Sequence, residues 1–305
     1  MNTKESKDTQ QAGVNYDLPR SLKAILPLLG IALLLIGFIL NFNTTEKIRS
    51  VVNKSLVISK KCQGSFNEFK SEPLTLGYNL KGFSTTGTCD KKLSALKSIY
   101  VGFRGISFTP FGLRLKAIFQ IENLGPIEAV LSLGLKEFEV LISDQKISLA
   151  NAISLLKAPI RVSGKSIINA ALSGKYSKFE GGDISIKVKN LKVKEQEIQS
   201  FIVPQIDLQN NNINVKITKA NTLKVNSITL GTPSDLVEIL AQGEIKNINS
   251  PSKSQLKIEG KFNFKEEFND KIPLLNLLLS GKNKKQGYYQ FQLSGKAQSP
   301  KFSIK

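Results

Sequence analysis

Few side chains in this sequence are placed to do chemistry. Gly164-Lys165-Ser166 has the ending of a phosphate-binding loop, where backbone N–H groups cradle phosphates and the lysine reaches the outer ones. That loop needs a glycine five residues before Gly164; the position holds Pro159, so the pattern fails. The carboxylate pairs Glu137/Glu139 and Glu195/Glu197 sit at strand spacing on a polar face. General acid–base work needs a pocket that perturbs their pKa, and nothing nearby implies one. Gly181-Gly182-Asp183 reads as a hairpin turn in preference to a cation site. Histidine is absent, which excludes a Ser-His-Asp triad, a Cys-His nucleophile pair and the usual zinc sites. The expectation is no catalytic residue, no cofactor and no metal. What remains is Cys62 and Cys89, which pair as a disulfide in an oxidising compartment or else stay two small buried thiols.

Upstream of the cysteines, Leu22 to Leu40 is apolar apart from Lys23. A helix of that length spans roughly 28 Å at about 1.5 Å per residue, close to a bilayer core of about 30 Å. The run is long for a signal-peptide core, and Asn41-Phe42-Asn43 offers no small-x-small cleavage site. An uncleaved anchor is favoured over a cleaved signal or a buried helix. Basic residues flank both sides, so their count does not orient the segment. Arg20 and Lys23 at its start favour a cytoplasmic N-terminus, with the remainder outside.

The net charge of +19 attracts anionic lipid, nucleic acid or acidic proteins. Among 43 basic residues the arginines are Arg20, Arg49, Arg104, Arg114 and Arg161, and the rest are lysine. Sequence-reading nucleic-acid proteins depend on arginine forks. A solvated lysine face at an anionic membrane surface is the better fit, with no nucleic-acid partner.

Beyond the apolar run the periodicity predicts the elements. Thr45 to Ser59 has helical spacing, and Asp90–Ile99, Ser148–Leu156, Ser234–Leu240 and Ile272–Leu279 read as short helices. From about residue 100 the period is two. Ile184, Ile186 and Val188 alternate with polar residues, and the scheme repeats at Ile213–Ile217, Leu223–Val225, Ile228–Leu230, Leu256–Ile258 and Phe262–Phe264. Such alternation means half-buried antiparallel strands with lysine on the wet face. Leu-Ser-Gly-Lys at Leu172, Leu279 and Leu293 reads as a convenient strand exit or a structural repeat. The expected architecture is mainly β: a single transmembrane helix, then a large antiparallel, curled sheet with a few short helices. The expected divisions are a disordered arm (1–20), the anchor (21–42), a helical stem and Cys-containing connector (43–99) and a β-rich domain (100–305).

The C-terminal tail carries a resemblance. Ser254-x-Leu256-x-Ile258, a Leu-rich helix, then Gly287-x-Tyr289-x-Phe291-x-Leu293-x-Gly295 and Pro300-x-Phe302 resemble the tail of general secretion pathway protein N, a component of the bacterial type II secretion system. The match covers about fifty residues. The resemblance implies a non-enzymatic subunit or assembly factor, single-pass in a bacterial inner membrane with its large domain in the periplasm. Its implied partners are inner-membrane lipids and other secretion-system envelope proteins. Within the tail, Tyr289, Phe291 and Leu293 share one face, to be buried, while Gln290 and Gln292 share the other. The alternative function is an AsmA-like periplasmic lipid-binding or lipid-transfer protein. The two differ in whether the apolar sheet face is sealed by helices or left open.

Overall fold

The computed structural model describes residues 44–305 apart from 60–61, 73–75, 88, 90–94, 157–159, 176–177, 199–200, 219–220, 249–252 and 273–278. Contacts divide the chain into Met1–Ser50 and Val51–Lys305. Helix α1, Thr44–Ser55, begins in the first unit and ends in the second. In its first turns Glu46 and Arg49 form an exposed ion pair at 3.6 Å.

The second unit is dominated by strands. They are β1 Val57–Ser59, β2 Cys62–Glu72, β3 Gly77–Gly87, β4 Leu96–Phe108, β5 Phe111–Ile121 and β6 Gly125–Gly134. β7 Glu137–Ser148 leads into helix α2, Leu149–Leu156, before β8 Val162–Lys175 and β9 Lys178–Val193. β10 Gln196–Ile198 and β11 Phe201–Val203 form a separate small hairpin. β12 Ile206–Leu208, β13 Asn211–Thr218, β14 Thr222–Leu230, β15 Val237–Lys246 and β16 Gln255–Phe264 follow. Helix α3, Glu266–Lys271, precedes β17 Tyr289–Lys296 and β18 Ser299–Ile304. All but β10 and β11 belong to one 16-stranded antiparallel sheet. Strand order follows chain order, except that β9 pairs with β12 along its last residues and with β13 before them. The helix expected at Ser148–Leu156 is present as α2.

Two features of the expected architecture need correction. The sheet is neither closed nor strongly curled: β1 and β18 are its two edges and do not meet. Closure would need both edges open to pairing. β18 carries Pro300 between Ser299 and Lys301, a combination that blunts an edge. At the other edge, the Asn53 amide satisfies β2 by accepting from Phe66 N–H at 3.1 Å and donating to Phe66 O at 3.5 Å. The second correction concerns the membrane helix. No described helix is long and apolar enough to cross a membrane. α1 is 12 residues long and carries charges, and the expected anchor, 21–42, lies outside the described residues.

Local differences follow the same logic. The sheet starts at Val57, well before residue 100. Ile99, expected to end a helix, lies inside β4, and residues 90–94 are outside the described set. Over Ser234–Leu240 there is a turn closed by Asp235, whose carboxylate accepts from Thr232 N–H at 2.8 Å, and then β15. The β-branched Val237 and Ile239 prefer the pleated surface. Gly181-Gly182-Asp183 is strand interior instead of a turn, because β9 must extend to pair with β13 through Gly182↔Ile217. Most of Ile272–Leu279 lies outside the described residues.

Cys62 and Cys89 are joined by a disulfide, with Cα atoms 5.0 Å apart. Cys62 pairs in register with Gly87, so the bridge staples the open end of the β2–β3 hairpin. Thiol labelling of the denatured, non-reduced chain should find no free thiol. Replacing both cysteines by serine should lower stability by about 3.5 kcal/mol on the chain-entropy account of a loop this long. Two labelled thiols, or an unchanged unfolding midpoint, would contradict the staple.

Candidate functional site

Directly opposed residues of an antiparallel ladder share a face, so the register gives the chemistry of each side of the sheet. One row runs Phe103, Leu115, Leu131, Val140, Leu172, Gly182, Ile217, Leu223, Ile245, Leu256, Gly295, Pro300. It passes through every strand from β4 to β18 on the main path without a polar side chain. The neighbouring row, one residue along, faces the other way and runs Lys116, Val130, Leu141, Ala171, Asp183, Lys216, Lys224, Glu244, Lys257, Ser294, Lys301. The sheet thus has an apolar face and an opposite face that is mixed from β5 to β8 and lysine-rich from β9 onward.

Bulges maintain this segregation. Shifting a strand by one residue turns its side chains over. In β4 the register slips between Phe103 and Gly105, and Gly105 takes φ +134 there. The extra residue keeps Ile106 and Phe108 on the side of Phe103, opposite Leu113 and Phe111. A slip between Val225 and Ile228 in β14 does the same for Ile228, which opposes Ile213 and Ala241. Without them, apolar residues of these strands would point among the lysines.

The apolar face is covered at one end. There Val188, Leu191 and Leu208 are buried with Leu149 of α2 against them. Beside them Phe264, Phe268 of α3 and Leu279 form a second cluster, and Ile206 and Val237 touch both. Elsewhere among the described residues Phe66, Leu80, Ile147, Ile217 and Val225 are buried within the sheet, whereas Phe103, Ile106, Phe108, Phe111 and Leu113 are exposed and most other large apolar side chains are half-buried. From β3 to β18 the face spans roughly 60 Å at about 4.8 Å per strand, and strands of ten residues are about 33 Å long. Even after subtracting the covered end, this exceeds the few hundred Å² that is typical of the largest apolar patch on a monomer.

The lysine face is held by local polar contacts. Lys116 and Glu128 pair at 2.8 Å, exposed and worth about 1 kcal/mol or less. Tyr288 donates to Glu238 Oε2 at 2.7 Å while Lys261 Nζ stands 4.3 Å over its ring. The Glu238 hydrogen bond holds the Tyr288 phenol above its ordinary 10.0, since ionisation would set two anions side by side. This contact is intact below pH 10 and fails as the pH rises further. Among the described residues no group of three or more acidic or cysteine side chains gathers as a metal site.

The tail residues are part of the apolar face. Tyr289, Phe291 and Leu293 lie on it, half-buried, with Phe291 stacked across Gly260, where any side chain would meet its ring. Phe302 lies 5.6 Å from the Phe291 ring and is 59% exposed. Gly287, at φ +83, is in the turn before β17; Gly295 is within β17, opposite Pro300 on the edge. Sequence reasoning missed β4 to β7 as the richest part of the face; the run from Phe103 to Leu115 hides its period because the bulge breaks it.

Because Phe291 lies on an open face, Phe291→Ala should lower stability by only about 0.8–1.5 kcal/mol, half the value of full burial of a ring. A ring in a sealed core would cost about 3–5 kcal/mol. Gln292→Ala on the lysine face should cost less than about 0.5 kcal/mol. Denaturant unfolding measures both, and a loss near 4 kcal/mol for Phe291→Ala would contradict the open face.

Comparison with known proteins finds no family model, no curated protein and no solved structure that matches the chain, so the tail resemblance is neither supported nor opposed by relatives.

Proposed function

We propose that this protein handles lipid, its apolar sheet face receiving the acyl chains of anionic phospholipids. The observation that carries this is the apolar row that crosses every main-path strand from β4 to β18, with no covering layer among the described residues over most of its breadth. A secretion scaffold that docks through sheet edges has no need of such a face and would seal it, and both edges here are blunted. A second copy of the chain is a poor cover, because face-to-face pairing would bring together two molecules of net charge +19. Anionic headgroups instead complement the lysines and arginines around the rim while acyl chains displace water from the face. The Cys62–Cys89 bridge supports an oxidising compartment, which in a bacterium is the periplasm. A role beside the type II secretion machinery remains compatible with lipid handling and rests on the tail motif alone.

Photo-crosslinking in living cells tests this. A photoreactive phenylalanine analogue at Leu131, in the middle of the face, should capture phospholipid, detected as a mass increase or by labelled phosphate. The same probe at Lys187, on the lysine face, should not. Capture of protein but no lipid at Leu131 would replace this reading with a protein-docking surface.

A further inference from the structure

The two ends of the apolar face differ. The clusters around α2 and α3 close one end. The opposite end is formed by hairpin tips, because β4–β5, β6–β7, β8–β9, β13–β14, β15–β16 and β17–β18 all turn there. In the C-terminal half the described tip residues are polar or small, as at Asn221, Asn247, Ala297 and Gln298, except Ile248, which is half-buried. In the N-terminal half they are large and apolar. Phe108 and Phe111 face each other across the β4–β5 tip at 83% and 72% exposure, with Ile106 and Leu113 behind them at 60% and 53%. Leu135, in the β6–β7 turn, is 95% exposed.

These side chains continue the apolar face beyond the sheet. Exposed Arg104 and Arg114 flank them one strand position back, and Lys136 follows Leu135. The nearby acids include Glu137, Glu139 and Glu180, the last paired with Lys175 at 3.7 Å. Apolar tips with cations just behind them suit the headgroup boundary of a bilayer, where rings enter the acyl region and basic groups meet phosphate. We propose that the β4–β5 and β6–β7 tips dock into the surface of an anionic phospholipid bilayer, so that the open end of the apolar face meets the membrane that supplies or accepts its lipid. This rests on the lipid reading of the face.

The native cysteines are both in the disulfide, so a third thiol can be labelled alone in the full chain under non-reducing conditions. Leu135→Cys and, as a control, Lys187→Cys would each carry an environment-sensitive dye. The labelled chains are mixed with phosphatidylcholine vesicles that bear nitroxide lipids, with and without phosphatidylglycerol. The dye at 135 should shift to the blue and be quenched, and the dye at 187 should not. Leaving out phosphatidylglycerol should weaken the vesicle affinity read by quenching at 135 by about a hundredfold, as three basic groups near an anionic surface each contribute about a factor of five. Phe108→Ser/Phe111→Ser should weaken quenching at 135 while lipid capture at Leu131 persists. Equal quenching at 135 and 187, or no dependence on phosphatidylglycerol, overturns the docking. If capture at Leu131 still succeeds, the lipid-handling face survives that failure; if capture fails too, both fall.

Discussion

The structure depends on one constraint: an antiparallel ladder whose opposed residues share a face must do something with the apolar side it creates. Most sheets pack that side against a second layer. Here the register aligns the apolar residues of strand after strand, yet among the described residues the covering elements are two short helices, a short strand and Leu279, all at one end. Hydrophobic clusters close that end, while the apolar residues toward the β4–β5 tip, Phe103, Ile106, Phe108, Phe111 and Leu113, are exposed. Stability therefore rests on ladder hydrogen bonds, cross-strand side-chain pairs and the covered end, with the disulfide tying the first long hairpin.

The same constraint explains the opposite face and the edges. Lysines along the opposite side from β9 onward discourage stacking of copies, and acidic residues such as Asp183 and Glu244 lie beside lysines in the same row. Edge strands would otherwise recruit other chains. Asn53 occupies backbone groups of β2, and Pro300 and Lys301 mark β18. A protein that must leave an apolar surface open has particular reason to blunt every other route to association.

Much of this was legible in the residues. Period-two alternation from Ile184 onward gives the strands, their antiparallel character and the lysine face, and Leu149–Leu156 gives its helix by spacing. The first strands were hidden because β2 and β3 are built from Gly, Ser, Thr and Asn as much as from Phe, so no alternation stands out. Bulges hid the period in β4 and β14. Gly181-Gly182 looks like a turn in sequence because its other use, letting backbones pack closely within a long strand, leaves the same signature. Sequence also could not say whether the apolar face is covered: that depends on where α2, α3 and the β12 segment fold back, and nothing in their own residues fixes the end they choose.

The central claim is that this face is bare in the protein and filled by lipid in the cell. Mass spectrometry of lipid extracted from the purified full chain, compared with an Ile184→Glu/Leu131→Glu variant, tests it most directly. The account predicts phospholipid enriched in anionic headgroups on the native chain, and a marked loss of it in the variant, whose fold tolerates charge on an already wetted face. Equal lipid on both chains, or none on either, would contradict it.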